Sequence, residues 1–147
     1  ALLIDRLGFH HGLVVEADDR ESEILSVFER VLVDAPCSDL GALSSWPDAR
    51  WRKYPALIER VAKLQAEILD RAVAFIREGG SLVYSTCTIS RRENSSQAIE
   101  LADRHGLTIE DLGSRAPSLA DPHDSRFLQL MPDRARTTGF FIARFTA

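Results

Sequence analysis

The sequence predicts a mixed, open α/β sheet that ends in an antiparallel strand pair. Three observations predict it. Two short apolar runs, residues 30–34 and 81–85, have the continuous hydrophobicity of strands buried on both faces, as in a parallel sheet. Two helical patterns, residues 57–76 and 91–105, alternate with those runs. Two further segments, 126–130 and 139–145, flank residues 132–138 and can pair as a hairpin. Strand, helix, strand, helix and an antiparallel pair is the order of the second half of an open α/β sheet.

Each element has a local reason. Residues 2–7 read as the end of a helix closed by Gly8, and residues 13–17 as a short strand ending at Asp18-Asp19. Residues 21–26 read as a loop or a short turn. The run Arg30-Val31-Leu32-Val33-Asp34 is stopped by Ala35-Pro36. Residues 35–54 form a long loop, marked by Pro36, Gly41, Ser44, Ser45 and Pro47. Leu57, Ile58, Val61, Leu64, Ile68, Leu69, Ala72, Val73 and Ile76 then follow helical spacing, with Gly79-Gly80 as the stop. Ser90 and Glu93 have capping-box spacing, so a helix is expected from Arg91 to His105, closed by Gly106. Residues 107–112 alternate as a strand, and a polar loop with Pro117, Pro122 and His123 follows.

Composition bounds the function. A chain of 147 residues is one domain's worth, and 45% hydrophobic residues can form a core. No apolar run approaches the ~20 residues that span a bilayer. The N-terminus has no basic region before a long apolar stretch, so it does not read as a signal peptide; a cytoplasmic protein is expected. It also opens without Met and in mid-pattern, which predicts a fragment or a processed chain. The net charge of −4 gives no overall basic footprint for nucleic acid. Any RNA grip must then come from a local patch or from another domain. The two cysteines, Cys37 and Cys87, are expected as free thiols.

Ligands of open α/β sheets bind outside the carboxyl ends of the strands. The unusual residues fall there: Asp18 after one strand, Asp34 to Cys37 after the next, Thr86-Cys87 after the third. Cysteine is a nucleophile as its thiolate. A cysteine nucleophile is what methylation at C5 of cytosine requires, because addition to C6 turns C5 into an enamine-like carbon. The same reaction needs a donor near N3 and a base for the C5 proton. An aspartate could donate if burial raised its pKa.

Two segments carry a family resemblance. Val31-Leu32-Val33-Asp34-Ala35-Pro36-Cys37-Ser38 and Tyr84-Ser85-Thr86-Cys87-Thr88 resemble the two cysteine motifs of the NOL1/NOP2/Sun family of RNA cytosine-C5 methyltransferases. That family includes bacterial 16S rRNA enzymes. The resemblance extends through Trp46 to Arg52, Ser90 to Asn94, and Thr138 to Arg144. It implies a Rossmann-like methyltransferase fold that uses S-adenosylmethionine, with residues 1–147 as the C-terminal part of the catalytic domain. It implies Cys87 as the nucleophile toward C6 and Cys37 as the residue that assists product release. It places Asp34 beside the target base and the methionine end of the cofactor, and Asp18 at the adenine. Without the resemblance, Asp18 reads equally as a helix or turn cap.

Arg50, Trp51 and Arg52 are candidates to stack on and hold RNA, with rRNA expected ahead of tRNA; packing at the lead-in to the helix is the other reading. His10, His11, His105 and His123 show no metal-ligand spacing with the cysteines, so no metal is expected.

The sequence departs from the family at Asp39, where Gly usually follows Pro-Cys-Ser, and in the loop from Pro132 to Thr138, which lacks the His and Asp that many relatives carry just before the Gly-Phe-Phe segment; Thr138 stands directly before Gly139. The family's glycine-rich cofactor loop and ribose-binding acid are not in these residues. Weak or no cofactor binding and no activity are therefore expected of the 147 residues alone. The strand at Val31 is expected to have an unpaired edge, covered by self-association, strand exchange or the first segment. A non-catalytic RNA-binding or ribosome-assembly module is the alternative from another class. A methyltransferase of DNA cytosine or of an amino group is a third. The second Thr-Cys motif points away from DNA, and amino methylation needs no cysteine.

Overall fold

The computed structural model describes residues 27–147. The expectations for residues 2–7, 13–17 and 21–26, with Asp18, lie outside the described residues. Strand β1 (Phe28–Asp34) pairs in parallel with β2 (Ile76–Thr86), and helix α1 (Pro55–Val73) connects them. Helix α2 (Ser95–His105) follows β2. Then come β3 (Thr108–Ile109), β4 (Leu128–Leu130), a single helical turn α3 (Pro132–Ala135) and β5 (Phe140–Thr146). β5 runs antiparallel to β2 and occupies the middle of the sheet. Its other edge takes β3 at one end and β4 at the other, both antiparallel. The hairpin and the mixed sheet are as the sequence predicts.

Alternation explains the core. Val31 and Val33 stand beside Leu82 and Tyr84, which stand beside Phe145 and Ala143, all on one face of the sheet. Leu69 and Ala72 of α1, with Ala98, Leu101 and Ala102 of α2, pack in the same cluster. Phe127 and Phe141 complete it, with ring centroids 5.4 Å apart. At ~25 cal/mol per Å2 of apolar surface, side chains such as Phe141 and Leu69 each contribute roughly 1.5–3 kcal/mol.

The structure differs from the sequence expectations at several boundaries. The strand at β1 is not buried on both faces: Leu32, on the opposite face from Val33, is 69% exposed. Among the described residues β1 pairs with β2 alone. Helix α1 ends at Val73, and Ile76 opens β2. The helix closes in a tight turn from the Ala74 and Phe75 N–H groups to Arg71 and Ala72. Gly79-Gly80 lie inside β2 at a break in register, not at a helix end. Gly80 leaves no room for a Cβ, which would lie 2.8 Å from Arg77 O. Helix α2 starts at Ser95, not Arg91, although Gly106 does close it, at φ 67°. The strand expected over 107–112 shrinks to two residues. No described helix is long and apolar enough to cross a membrane.

Candidate active site

Parallel neighbours leave a sheet at the same edge, so the residues that follow them meet. The ladder extends one step past β1, with the Ala35 N–H donating to Ser85 O at 3.2 Å. Pro36 then turns the chain away from the sheet. Cys37 and Cys87, fifty positions apart, come together with their sulfurs at 3.2 Å. Both are free thiols, as expected, and each is half-buried. Asp39 completes a triangle. Its Oδ1 accepts from the Cys87 thiol at 3.0 Å and from the Cys37 thiol at 3.5 Å. Asp39 holds φ 55° and ψ 26°, a left-handed conformation that Asp tolerates better than most residues. Lys53 Nζ stands 3.5 Å from the other oxygen of Asp39.

A second cluster holds these loops from the inside. Glu93 is fully buried. Its carboxylate accepts from the Ser38 N–H at 2.7 Å, from the Ser38 hydroxyl, and from Gln65 Nε2 at 3.5 Å. The Ser38 and Thr88 hydroxyls are 2.9 Å apart. Asn94, also buried, brackets Cys87. It accepts from the Thr86 hydroxyl at 2.6 Å and donates to Thr88 O at 3.0 Å and to Gln129 Oε1 at 2.8 Å. The Tyr84 hydroxyl donates to Glu93 O at 2.6 Å. Glu93 is therefore not the capping-box partner its spacing suggests; its side chain turns inward to Ser38. Gly41 and Gly139 fasten the outer loops backbone to backbone, with Gly139 N–H donating to Gly41 O at 2.9 Å and Gly41 N–H to Cys87 O at 3.1 Å.

The electrostatics follow from this placement. Burial, and then the hydrogen bond with Cys87, push the Cys37 thiol well up. Burial, and then the Asp39 carboxylate, push the Cys87 thiol up as well. Burial works against the Asp39 anion. Hydrogen bonds from Cys87 and Cys37, with the Lys53 ammonium, outweigh it and hold Asp39 below the usual carboxylate range. At neutral pH both sulfurs are thus thiols facing a carboxylate.

A cavity of about 640 Å3 opens in front of Cys87. Asp39, Trp46, Arg52 and Lys53 line it with Cys87. Arg52 is the one member of the Arg50-Trp51-Arg52 group on its wall. Arg50 lies over the Trp51 ring, its guanidinium carbon 4.8 Å from the ring centroid. Trp46, 72% exposed, and Lys53 are wall residues that the sequence does not single out as site candidates. The Trp46-Pro47 dipeptide at the start of the loop's short helix is the available signal. Asp34 stands at the end of β1 and accepts from the Ser85 hydroxyl at 3.1 Å. It is exposed. Asp18 lies outside the described residues.

Comparison with known proteins shows the family and the fold. Residues 2–146 match the family described as 16S rRNA methyltransferase RsmB/F. Ribosomal RNA small subunit methyltransferase F of Shewanella loihica is 36% identical over 148 residues, covering 97% of this chain and 30% of the relative. The Escherichia coli O157:H7 protein of the same name is 34% identical over 146 residues, covering 96% and 30%. The crystal structure of NSun6 from Pyrococcus horikoshii with SFG superimposes with a TM-score of 0.82 at 30% identity, over 97% of this chain and 36% of that one. The chain thus spans about a third of the length of the relatives it matches. The fold is that of Rossmann-like S-adenosylmethionine-dependent methyltransferases.

Proposed function

We propose a function from the premise that this chain belongs to the 16S rRNA methyltransferase RsmB/F family: methylation of C5 of cytosine in RNA, rRNA ahead of tRNA, with S-adenosylmethionine as donor. The activity is assigned to a longer chain that includes these residues, with residues 1–147 as the C-terminal part of its catalytic domain. The 147 residues alone are expected to be inactive.

The observation that carries this reading is the meeting of Cys87 and Cys37 beside an open cavity at the carboxyl edge of the sheet. Cys87 gives up its proton and adds to C6 of the base. The S–C6 bond forms and electron density moves toward N3, so C5 becomes nucleophilic. After C5 has gained the methyl group, its proton is removed, the S–C6 bond breaks, and the electron pair returns to sulfur. Cys37, in contact with Cys87, assists that release. Trp46, Arg52 and Lys53 suit an RNA nucleotide entering the cavity, by stacking and by phosphate contact; Arg50 and Trp51 extend that basic, aromatic surface.

The donor fits the residues present on one side. Asp34 presents an exposed carboxylate at a strand end, suited to the cationic methionine end of S-adenosylmethionine. Asp18 is assigned to its adenine. When bound, this cofactor supplies an electrophilic methyl group. SFG, with which the archaeal NSun6 was solved, is an analogue of it.

One observation favours a non-catalytic RNA-binding module instead: burial, and then Asp39, raise the Cys87 thiol, against nucleophile activation. RNA containing 5-fluorocytosine decides between them. Fluorine at C5 cannot leave as a proton, so the adduct persists. The full-length chain should form a covalent complex that Cys87→Ser loses and Cys37→Ser keeps. Trapping that persists in Cys87→Ser and disappears in Cys37→Ser reverses the two roles. No trapping in any form points to the module.

A further inference from the structure

We infer that Cys37, Asp39 and Cys87 form a binding site for a thiophilic divalent cation of the Zn2+ class, and that such an ion masks the cysteine pair reversibly. The three ligand atoms, two sulfurs and one carboxylate oxygen, all lie within 4.8 Å of one another. Their separations are 3.2, 3.5 and 3.0 Å. Tetrahedral Zn2+ with its usual bond lengths holds two sulfurs about 3.8 Å apart, and a sulfur and an oxygen about 3.6 Å apart. The triangle has to open by only about half an ångström to accept the ion.

Three features make this more than a chance cluster. Ser38 is buried and tied to Glu93, so the residues on either side of it are held outward, Asp39 on the cavity wall and Cys37 against Cys87. The left-handed backbone at Asp39 brings one carboxylate oxygen onto the two sulfurs. The fourth position of a tetrahedral ion opens into the cavity of about 640 Å3, where water can fill it. Two thiolates and a carboxylate are also a donor set that selects a borderline-soft ion over Mg2+ or Ca2+.

The charge and proton balance closes. Two thiols lose two protons to solvent as two metal–sulfur bonds form. Three negative ligand charges then face the dication and the Lys53 ammonium, which already sits on the second oxygen of Asp39. Bound sulfur is no longer free to attack carbon.

The test uses the chain kept reduced with a phosphine. Co2+ is titrated in, and the sulfur-to-cobalt charge-transfer absorption is followed; Zn2+ then displaces it. The expected result is one ion per chain, with affinity lowered about 100-fold in Cys37→Ser and Cys87→Ser. Asp39→Asn, at an exposed position outside the core, should weaken binding about tenfold. Absence of the charge-transfer band in excess Co2+ overturns the inference. So does an affinity unchanged in Asp39→Asn, which places the ion elsewhere. If a serine variant does not fold, the Asp39→Asn result decides alone. In the full-length chain, Zn2+ should block 5-fluorocytosine trapping and a chelator should restore it. Binding of the ion needs no catalysis: metal binding without trapping sinks only the proposed activity, and trapping without metal binding sinks only this inference.

Discussion

The inner and outer sides of the tripeptide Cys37-Ser38-Asp39 differ completely, although one stretch of backbone makes both. Inward, Ser38 meets a fully buried carboxylate whose donors come from β1's loop, α1 and β2's loop. Outward, Cys37 and Asp39 meet Cys87 beside an open cavity, with Lys53 as a half-buried counter-ion. The inner side consists of hydrogen bonds in low dielectric, where each is strong and an unpaired group is expensive. The outer side consists of thiols whose protons can leave and a carboxylate that water reaches. The contrast teaches that the reactive groups are positioned by groups that do no chemistry. Glu93 and Asn94 fix where Cys37 and Cys87 stand, and are positioning residues in that sense.

The largest expected effect falls on the inner side. Glu93→Ala leaves the Ser38 N–H and hydroxyl without their buried acceptor and should destabilise the chain by about 3 kcal/mol. A urea midpoint shift measures it. Glu93→Gln keeps the shape and one acceptor and should recover about half of the loss. A Glu93→Ala chain of unchanged stability breaks the comparison, because the inner side is then no clamp.

The fastening of the outer loops comes next. A Cβ at Gly41 lies 2.7 Å from Gly139 Cα, in backbone that side chains cannot relieve. Gly41→Ala should cost about 2 kcal/mol in the same unfolding measurement. Unlike Glu93→Ala, it should leave the Ser38 to Glu93 contacts in place.

The smallest effect belongs to the outer side and is read in reactivity rather than stability. Asp39→Asn removes the anion that, after burial, raises the Cys87 thiol. The thiol pKa then falls, and more thiolate is present at a given pH. The alkylation rate of Cys87 by iodoacetamide should rise with pH in both forms. The Asp39→Asn profile should lie at lower pH, several-fold faster near neutrality. Equal profiles would show that burial alone sets the reactivity of Cys87.

Much of this arrangement is legible without coordinates. The runs ending in Asp34-Ala35-Pro36-Cys37 and Ser85-Thr86-Cys87 mark two strand ends, and parallel strands must deliver their ends to one edge. The closing hairpin and the Gly106 stop are legible because both depend on local signals. Glu93 misleads because the Ser-x-x-Glu spacing describes a local bond, whereas its actual partner is 55 residues away. Gly79-Gly80 mislead as a helix stop because glycine fits a strand irregularity as well as a helix end. Lys53 follows no sequence pattern as a cavity residue, because a cavity wall has no periodicity, and for Trp46 the Trp46-Pro47 dipeptide is the one local signal.

The sequence by itself determined the order and type of the main elements among the described residues, though not their bounds, and which residue types stand at the strand ends. Apolar periodicity and the turn residues act over a few positions and need no partner. Only the tertiary structure decided that Asp39 faces both sulfurs and that Glu93 turns inward. Those outcomes depend on contacts spanning up to 55 residues, which exist only after the sheet has brought its loops together.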